Sequence, residues 1–350
     1  MMEAILDDAE RLYSLDKGGI LGSLSLFPQG LREGAEAAEG LEPPIERGYK
    51  ALVVAGMGSS AIGGQILGDW LMEDSPIPIH VSRGHRLPGF VDEETLLIAV
   101  SYSGNTEETL AALEEGVRRG CQILTITSGG AMERLSAARG IPTVKIPGGM
   151  RPRASFPWQF SAMVKLAGRM GLSPSADEEL GEALRVVEAL RGELIPEAET
   201  GVNRAKEVAL ALRGKIPFIY GPRMFEGVAY RFRTQLNENS KVPASSNSLP
   251  EGFHNEVMIR EGSEELRAPL SLVLIRDPGG EGGIERKVNA FRSLLGQRVG
   301  GIVEIEASGS GRLSRILSVL YVCDYASVYL GFLYGHDPSS TGSIDALKGL

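Results

Sequence analysis

Ser101-Tyr102-Ser103-Gly104-Asn105-Thr106 gathers hydroxyl groups and one glycine directly behind the apolar run Leu96-Leu97-Ile98-Ala99-Val100. Leu110, Leu113 and Val117 then recur at helical spacing, so a buried strand breaks into a polar loop that feeds a helix. Backbone N–H groups and the positive end of a helix macrodipole meet hydroxyls there. That chemistry suits an anion, such as the phosphate monoester of a small metabolite. The loop holds no Lys or Arg, so dipoles and hydroxyls would meet the charge. The competing reading is an ordinary helix start, with Asn105 as cap and Glu108 completing a capping box. Both readings use the same groups, and the loop alone does not separate them.

Gly56-Met57-Gly58-Ser59-Ser60-Ala61 follows the short apolar run 51–55 and fits the G-x-G-x-x-G/A dinucleotide pattern. The next strand ends in Val81-Ser82-Arg83, without the acid that would read a ribose. Arg83 suits a 2′-phosphate instead, which leaves an NADP-dependent oxidoreductase open. In the other reading, Gly58 and Ser59 let the backbone close over one compact phosphate opposite the Ser101 loop. No G-x-x-x-x-G-K-[ST] motif is present, which argues against nucleoside triphosphate hydrolysis.

The elements that must position these loops follow a regular alternation. Strands are expected at 51–55, 77–81, 96–100, 121–126 and 143–146, with helices at 60–72, 107–119 and 132–139. Short apolar strands alternating with amphipathic helices predict a parallel, doubly wound sheet. Pro147-Gly148-Gly149-Met150-Arg151-Pro152 interrupts the alternation, and 158–191 reads as helical. The pattern then restarts: helix 203–212, strand 217–220, helix 225–236, a Ser/Pro/Asn-rich loop, strand 270–275, helix 284–295, strand 301–305, a long apolar helix through 333 and a polar tail. The expected fold is α/β, with two doubly wound parallel sheets of flavodoxin-like layout. The expected division is a helical extension over 1–50, a first domain over 51–152 carrying the phosphate loops, a helical linker over 153–200, and a second domain over 201–350 that includes the tail. Ligands in such sheets bind beyond the carboxyl ends of the strands, where both loops fall.

At 350 residues the chain exceeds one typical core, in keeping with two domains. A net charge of −9 argues against a nucleic-acid partner or an anionic membrane surface. Residues 316–335 are apolar enough to suggest a membrane span. Asp324 in their middle would be costly there, so a buried core helix is expected. Cys121 and Cys323 are expected as free thiols. His80 and His85 lack metal-ligand spacing, and no Cys/His cluster exists, so neither metal nor cofactor is expected. The acidic, amphipathic N-terminus is unlike a secretory signal, which predicts a cytoplasmic protein.

Four further motifs complete the pattern: Pro152-Arg153-Ala154-Ser155, Asn237-Glu238-Asn239-Ser240-Lys241, Glu251-Gly252-Phe253-His254-Asn255-Glu256 and the tail Asp345-Ala346-Leu347-Lys348. With the two loops, in this order and spacing from about 56 to 348, they resemble the bifunctional phosphoglucose/phosphomannose isomerases, which are built on the sugar isomerase (SIS) fold. The resemblance implies metal-free interconversion of glucose 6-phosphate and fructose 6-phosphate, with mannose 6-phosphate as a second substrate. Gly58, Ser59, Ser101, Ser103 and Thr106 would then hold the phosphate.

Aldose–ketose isomerisation needs a carboxylate to move a proton between C1 and C2 through an enediolate. It also needs acid and base groups for ring opening, and a cation for the enediolate oxygen. By residue type alone Glu238 is not separable from Glu251 or Glu256. The resemblance assigns the base to Glu238. It gives ring opening to His254, supplied by the neighbouring subunit of a homodimer, and to Lys348 on a tail folded back onto the site. Arg153 takes the enediolate-stabilising position. Thr341 lines the C1–C2 end of the sugar, where a small hydroxyl would leave room for the mannose epimer. Each has a plainer reading: a solvated glutamate, a surface imidazole, a tail charge, a domain-boundary cation. Two other functions compete. A regulatory SIS module binding a sugar phosphate would not need Glu238, His254, Arg153 and Lys348 together, and an oxidoreductase would need a hydride-transfer site the sequence does not offer.

Overall fold

The computed structural model describes residues 3–44, 48–280 and 282–348. The chain divides into two units, Leu26–Leu184 and Met1–Ser25 with Arg185–Leu350.

In the first unit, β1 (Ala51–Ala55), β3 (Thr95–Ser101) and β4 (Gln122–Thr127) are near-continuous runs of apolar and β-branched residues. Such runs suit strands covered on both faces, and every residue of β1 and β3 is buried. β2 (Ile79–Ser82) and β5 (Thr143–Lys145) are shorter, less buried edges. The order is β2-β1-β3-β4-β5 with all pairings parallel, which is the flavodoxin-like winding expected. The register of β1 on β3 runs from Ala51↔Thr95 to Ala55↔Ala99, so the two strands end side by side. The helices Ser59–Leu71, Glu107–Arg118 and Gly130–Arg139 follow β1, β3 and β4. The helices Phe27–Glu39 and Phe156–Arg169 pack on each other. A Cβ at Gly34 would stand 2.2 Å from the Trp158 carbonyl, so a glycine permits this close approach. The Trp158 indole N–H donates to Glu33 at 2.8 Å.

The second unit holds β6 (Ile216–Pro222), β7 (Ser245–Leu249), β8 (Leu270–Arg276) and β9 (Ile302–Glu306) in the order β7-β6-β8-β9, again all parallel. This is the same winding with one strand fewer. β7 lies in the segment expected to be a loop. Its sequence, Ser-Ser-Asn-Ser-Leu, has no apolar alternation, and it is an edge strand held by the ladder from Phe218↔Ser245 to Pro222↔Leu249. The apolar stretch forms the helix Arg312–Leu333, buried along the unit's core as expected. Its carboxylate is compensated: Arg231 donates to Asp324 from Nε at 2.9 Å and from Nη2 at 2.7 Å. Such a pair tolerates burial because each charge has its partner.

The segments expected as an extension (1–50) and a linker (153–200) are shared between the units. Asp7 accepts from the Thr200 N–H at 2.9 Å and its hydroxyl at 2.7 Å, and the Tyr321 hydroxyl donates to the Leu24 carbonyl at 2.8 Å. The helix Phe27–Glu39 belongs to the first unit, and the division at residues 184 and 185 falls within the helix Ala176–Leu194.

Candidate functional site

The two hydroxyl-bearing turns stand beyond the carboxyl ends of β1 and β3. These are the strands between which the order 2-1-3-4-5 reverses, and that crevice is the general ligand position of the fold. A Cβ at Gly56 would lie 3.0 Å from the Val100 carbonyl, so the turns approach closely. Gly58 caps the helix Ser59–Leu71 with φ 53° and ψ −127°, a conformation open to glycine, and no side chain bonds to that helix start. Ser59 is half-buried there.

Across the crevice, Thr106 takes the N-cap of the helix Glu107–Arg118 without making a capping bond. Its hydroxyl instead lies 2.9 Å from that of the buried Ser101, whose Oγ also accepts from the Gly104 N–H at 3.1 Å. The exposed Ser103 accepts from the Asn105 N–H at 3.2 Å. The expected capping by Asn105 and Glu108 does not form. Asn105 Oδ1 is committed to the Ala131 N–H of the neighbouring helix start, at 3.0 Å. Glu107 points outward, its side chain 88% exposed and 3.8 Å from His85. Two helix starts without side-chain caps therefore face one crevice. The Thr106 start forgoes about 0.5–2 kcal/mol that a side-chain cap would give and the Gly58 start about a few tenths of a kcal/mol, and a bound anion would restore both.

Arg153 lies in the same unit on the turn Pro152–Ser155 and is 6% exposed. Three residues before it, the Met150 N–H donates to the Tyr102 hydroxyl at 2.6 Å, which links this segment to the Ser101 loop.

In the second unit, the helix Glu226–Gln235 runs on as a single π-turn, Leu236–Ser240, with the half-buried Glu238 at its centre. Such turns recur at functional sites because the extra residue redirects side chains. Asn239 donates to the Ser327 hydroxyl at 2.8 Å, and the Ser240 hydroxyl donates to the Ser327 carbonyl at 2.7 Å. Both pin the turn to the buried helix. A Cβ at Gly331 would stand 2.7 Å from the Asn239 carbonyl, so that helix carries a glycine where the turn rests. Lys241 closes the turn in the left-handed region (φ 62°, ψ 24°), which costs a non-glycine residue about 1–2 kcal/mol. Its N–H and that of Val242 donate to the Leu236 carbonyl.

The other two glutamates are engaged elsewhere. Glu256 accepts from the Tyr220 hydroxyl and from Asn247 (2.8 Å), which anchors the turn after β7. Burial, then the hydrogen bond to Glu256, pushes the Tyr220 phenol well above its ordinary value. Glu251 accepts from Asn255 at 3.1 Å. His254 sits on that turn, exposed, with its N–H donating to the Glu251 carbonyl at 3.0 Å.

Thr341 precedes the helix Gly342–Lys348, and its hydroxyl donates to Asp345 at 2.9 Å. Lys348 is the last residue of that helix. The structure thus gathers Gly58, Ser59, Ser101, Ser103 and Thr106 into one crevice of the first unit. In the second, Lys241 Nζ donates to the carbonyl of Ser340, beside Thr341, and to that of Glu238. The sequence reading gave Lys241 no role, since a left-handed backbone leaves no mark on residue spacing.

Paired helix starts at a switch point, followed by a second sheet wound the same way, define the chain as a SIS-domain protein. Residues 47–164 match the SIS domain family, and residues 201–350 match the bacterial phospho-glucose isomerase C-terminal SIS domain. Bifunctional phosphoglucose/phosphomannose isomerases from Caldicellulosiruptor bescii and Aquifex aeolicus are 36% and 34% identical, covering 85% and 86% of this chain and 88% and 90% of their own length. The chain belongs to that family. Solved structures share the fold. The C-terminal domain of glucosamine-fructose-6-phosphate aminotransferase from Francisella tularensis superposes with a TM-score of 0.72 at 13% identity, over 93% of this chain and 98% of that one. A glucose-6-phosphate isomerase like protein from Thermus thermophilus superposes with a TM-score of 0.65 at 21% identity, over 98% of each chain.

Proposed function

We propose that this protein is a metal-independent isomerase interconverting glucose 6-phosphate and fructose 6-phosphate, with mannose 6-phosphate as a second aldose. The observation that carries this reading is the pair of uncapped helix starts beyond β1 and β3, in a chain of this family that also carries a half-buried glutamate on a π-turn. Gly58, Ser59, Ser101, Ser103 and Thr106 hold the phosphate end. The Glu238 carboxylate takes the C2 proton of the open-chain aldose. The electron pair forms the C1–C2 double bond of the enediolate with the negative charge on O1, the hydroxyl proton passes from O2 to O1, and the carboxyl returns its proton to C1 to give the ketose. The buried Arg153 guanidinium stabilises the negative oxygen of that intermediate. His254 and Lys348 open the sugar ring, and Thr341 lines the C1–C2 end.

His254 is exposed in the single chain, which suits a side chain that serves a partner subunit's site in a homodimer. Cys121 and Cys323 are free thiols, in accord with a cytoplasmic enzyme.

The test offers fructose 6-phosphate to purified protein in excess chelator and measures both aldose products. Wild type should form glucose 6-phosphate and mannose 6-phosphate. Glu238→Gln should form neither while still binding sugar phosphate. Silence of the wild type would favour the regulatory reading, and undiminished turnover by Glu238→Gln would remove the base.

A further inference from the structure

Resting on the isomerase reading of Glu238, we propose that Lys241 is a positioning residue that ties the turn carrying Glu238 to the C-terminal segment carrying Thr341. Among the described residues, Lys241 is the one non-glycine residue in the left-handed region. A helix end of this shape is ordinarily closed by glycine or asparagine, which adopt it at little cost. The backbone alone therefore gives no reason for a lysine.

The side chain does. Its ammonium donates to the Ser340 carbonyl at 2.9 Å and also to the Glu238 carbonyl. One acceptor lies on the π-turn and the other on the tail, one residue before Thr341. Within that tail the Ser339 N–H and hydroxyl donate to the Asp337 carboxylate and the Ser340 N–H to the Asp337 carbonyl, while Thr341 donates to Asp345. Those bonds are internal to the segment. The bond from Lys241 leaves it and lands on the turn of the base. Both of these acceptors are backbone carbonyls, one on each segment, so the side chain bridges the turn and the tail. A proton moving between C1 and C2 must be met by a carboxylate held in fixed relation to the residues lining that end of the sugar, because small misplacements are costly in rate.

The experiment compares Lys241→Gly, Lys241→Asn and Lys241→Arg, recording melting temperature, kcat, KM and the pH profile of kcat. Glycine and asparagine both accept the left-handed backbone, so these two variants should melt at or above the wild-type temperature. Their kcat should nonetheless fall about tenfold or more, with KM within about threefold of wild type. Lys241→Arg, which keeps a long cationic donor, should retain most of the turnover. A lysine that served stability alone would show the reverse pattern, a lower melting temperature with unchanged kcat per folded molecule, and that overturns the proposal. Wild-type kcat in Lys241→Gly overturns it as well. A displaced acid limb of the kcat profile would mean that the ammonium acts on the Glu238 carboxylate by charge, and would overturn the geometric role. The parallel Glu238→Gln variant separates the two levels: its wild-type turnover would sink the isomerase base itself, whereas its inactivity beside a fully active Lys241→Gly would sink only the positioning role.

Discussion

Replacing Thr106 by aspartate should leave the protein as stable as wild type, or more so, while stripping it of affinity for its substrate. Thr106 holds the N-cap position of the helix Glu107–Arg118 but turns its hydroxyl to Ser101, 2.9 Å away. Thr106→Asp would lose that hydrogen bond, worth about 1 kcal/mol. An aspartate cap would return about 1 kcal/mol, and its charge at the positive helix end about 0.3–1 kcal/mol more. The sum lies between roughly zero and a gain of 1 kcal/mol.

Binding goes the other way. A unit charge pair 4 Å apart near a protein surface is worth about 4 kcal/mol, and a phosphate monoester carries close to two negative charges. If solvent leaves only about a quarter of that repulsion, about 2 kcal/mol remains, which is roughly a thirtyfold loss of affinity. Thr106→Asn supplies a cap without the charge, so it should match wild type in stability, about 0.3–1 kcal/mol below the aspartate variant, and lose far less affinity. Melting curves with and without inorganic phosphate, beside KM for fructose 6-phosphate, read both effects. Phosphate should raise the wild-type melting temperature and leave that of Thr106→Asp unmoved. A Thr106→Asp enzyme with KM within about twofold of wild type would refute the claim that these N–H groups hold the phosphate.

Two further outcomes follow from local geometry. Gly58→Ala meets no atom within 4 Å, so its penalty is the backbone's alone, about 1–3 kcal/mol at φ 53° and ψ −127°; a urea midpoint equal to wild type would contradict that conformation. The Glu115 carboxylate accepts from the Leu87 N–H at 2.8 Å and from Arg119 at 2.6 Å, and the Leu87 bond, against a smaller opposing effect of burial and with help from Arg119, holds it below the ordinary glutamate range. A depressed folded value means that this stabilisation is complete above the unfolded pKa, about 4.3, and is lost as pH falls through the folded one. Melting temperatures of wild type and Glu115→Gln should therefore diverge at neutral pH and converge in acid, and a gap constant with pH would count against the assignment.

What the sequence made legible follows from where information sits in it. The strands β1, β3, β4 and β8 are apolar runs bounded by turn residues, and the hydrophobic pattern places them within a residue or two. β7 was invisible because Ser245-Ser246-Asn247-Ser248 has no pattern of its own and becomes a strand through the ladder offered by β6. Asp324 correctly marked its helix as buried rather than membrane-spanning, but its partner Arg231 lies 93 residues away and could not be named. The two hydroxyl-bearing loops were legible as loops; that their helices lack side-chain caps was not, because Asn105 looks like a cap in sequence and is drawn instead to Ala131. Lys241 shows the limit plainly, since its left-handed backbone and its reach to Ser340 are properties of the folded chain.

The two sheets are wound alike, yet their switch points are furnished differently, which fits the roles proposed for the two halves of the chain. Beyond β1 and β3 the chain offers glycine, hydroxyls and open helix starts. The corresponding strands of the second unit are β6 and β8. At the end of β6, Gly221-Pro222 leads into the short turn Arg223–Phe225, and a Cβ at Gly221 would stand 3.0 Å from Phe225, which is fully buried. Apolar side chains therefore pack closely against that turn. After β8 comes Asp277, buried and paired with Arg315 at 2.7 Å, so that turn presents a carboxylate of its own. An anion arriving there would meet packing on one strand and, on the other, a carboxylate whose arginine partner is already engaged. The second unit therefore does not repeat the phosphate grip proposed for the first, and its distinctive polar groups lie elsewhere, on the π-turn around Glu238 and the turn after β7. Opening the second crevice by Phe225→Ala would leave Asp277 in place, so it should destabilise the unit without creating a second phosphate site. Phosphate titration of that variant by calorimetry should give one site per chain, as in wild type, and a second site would overturn this account of the asymmetry.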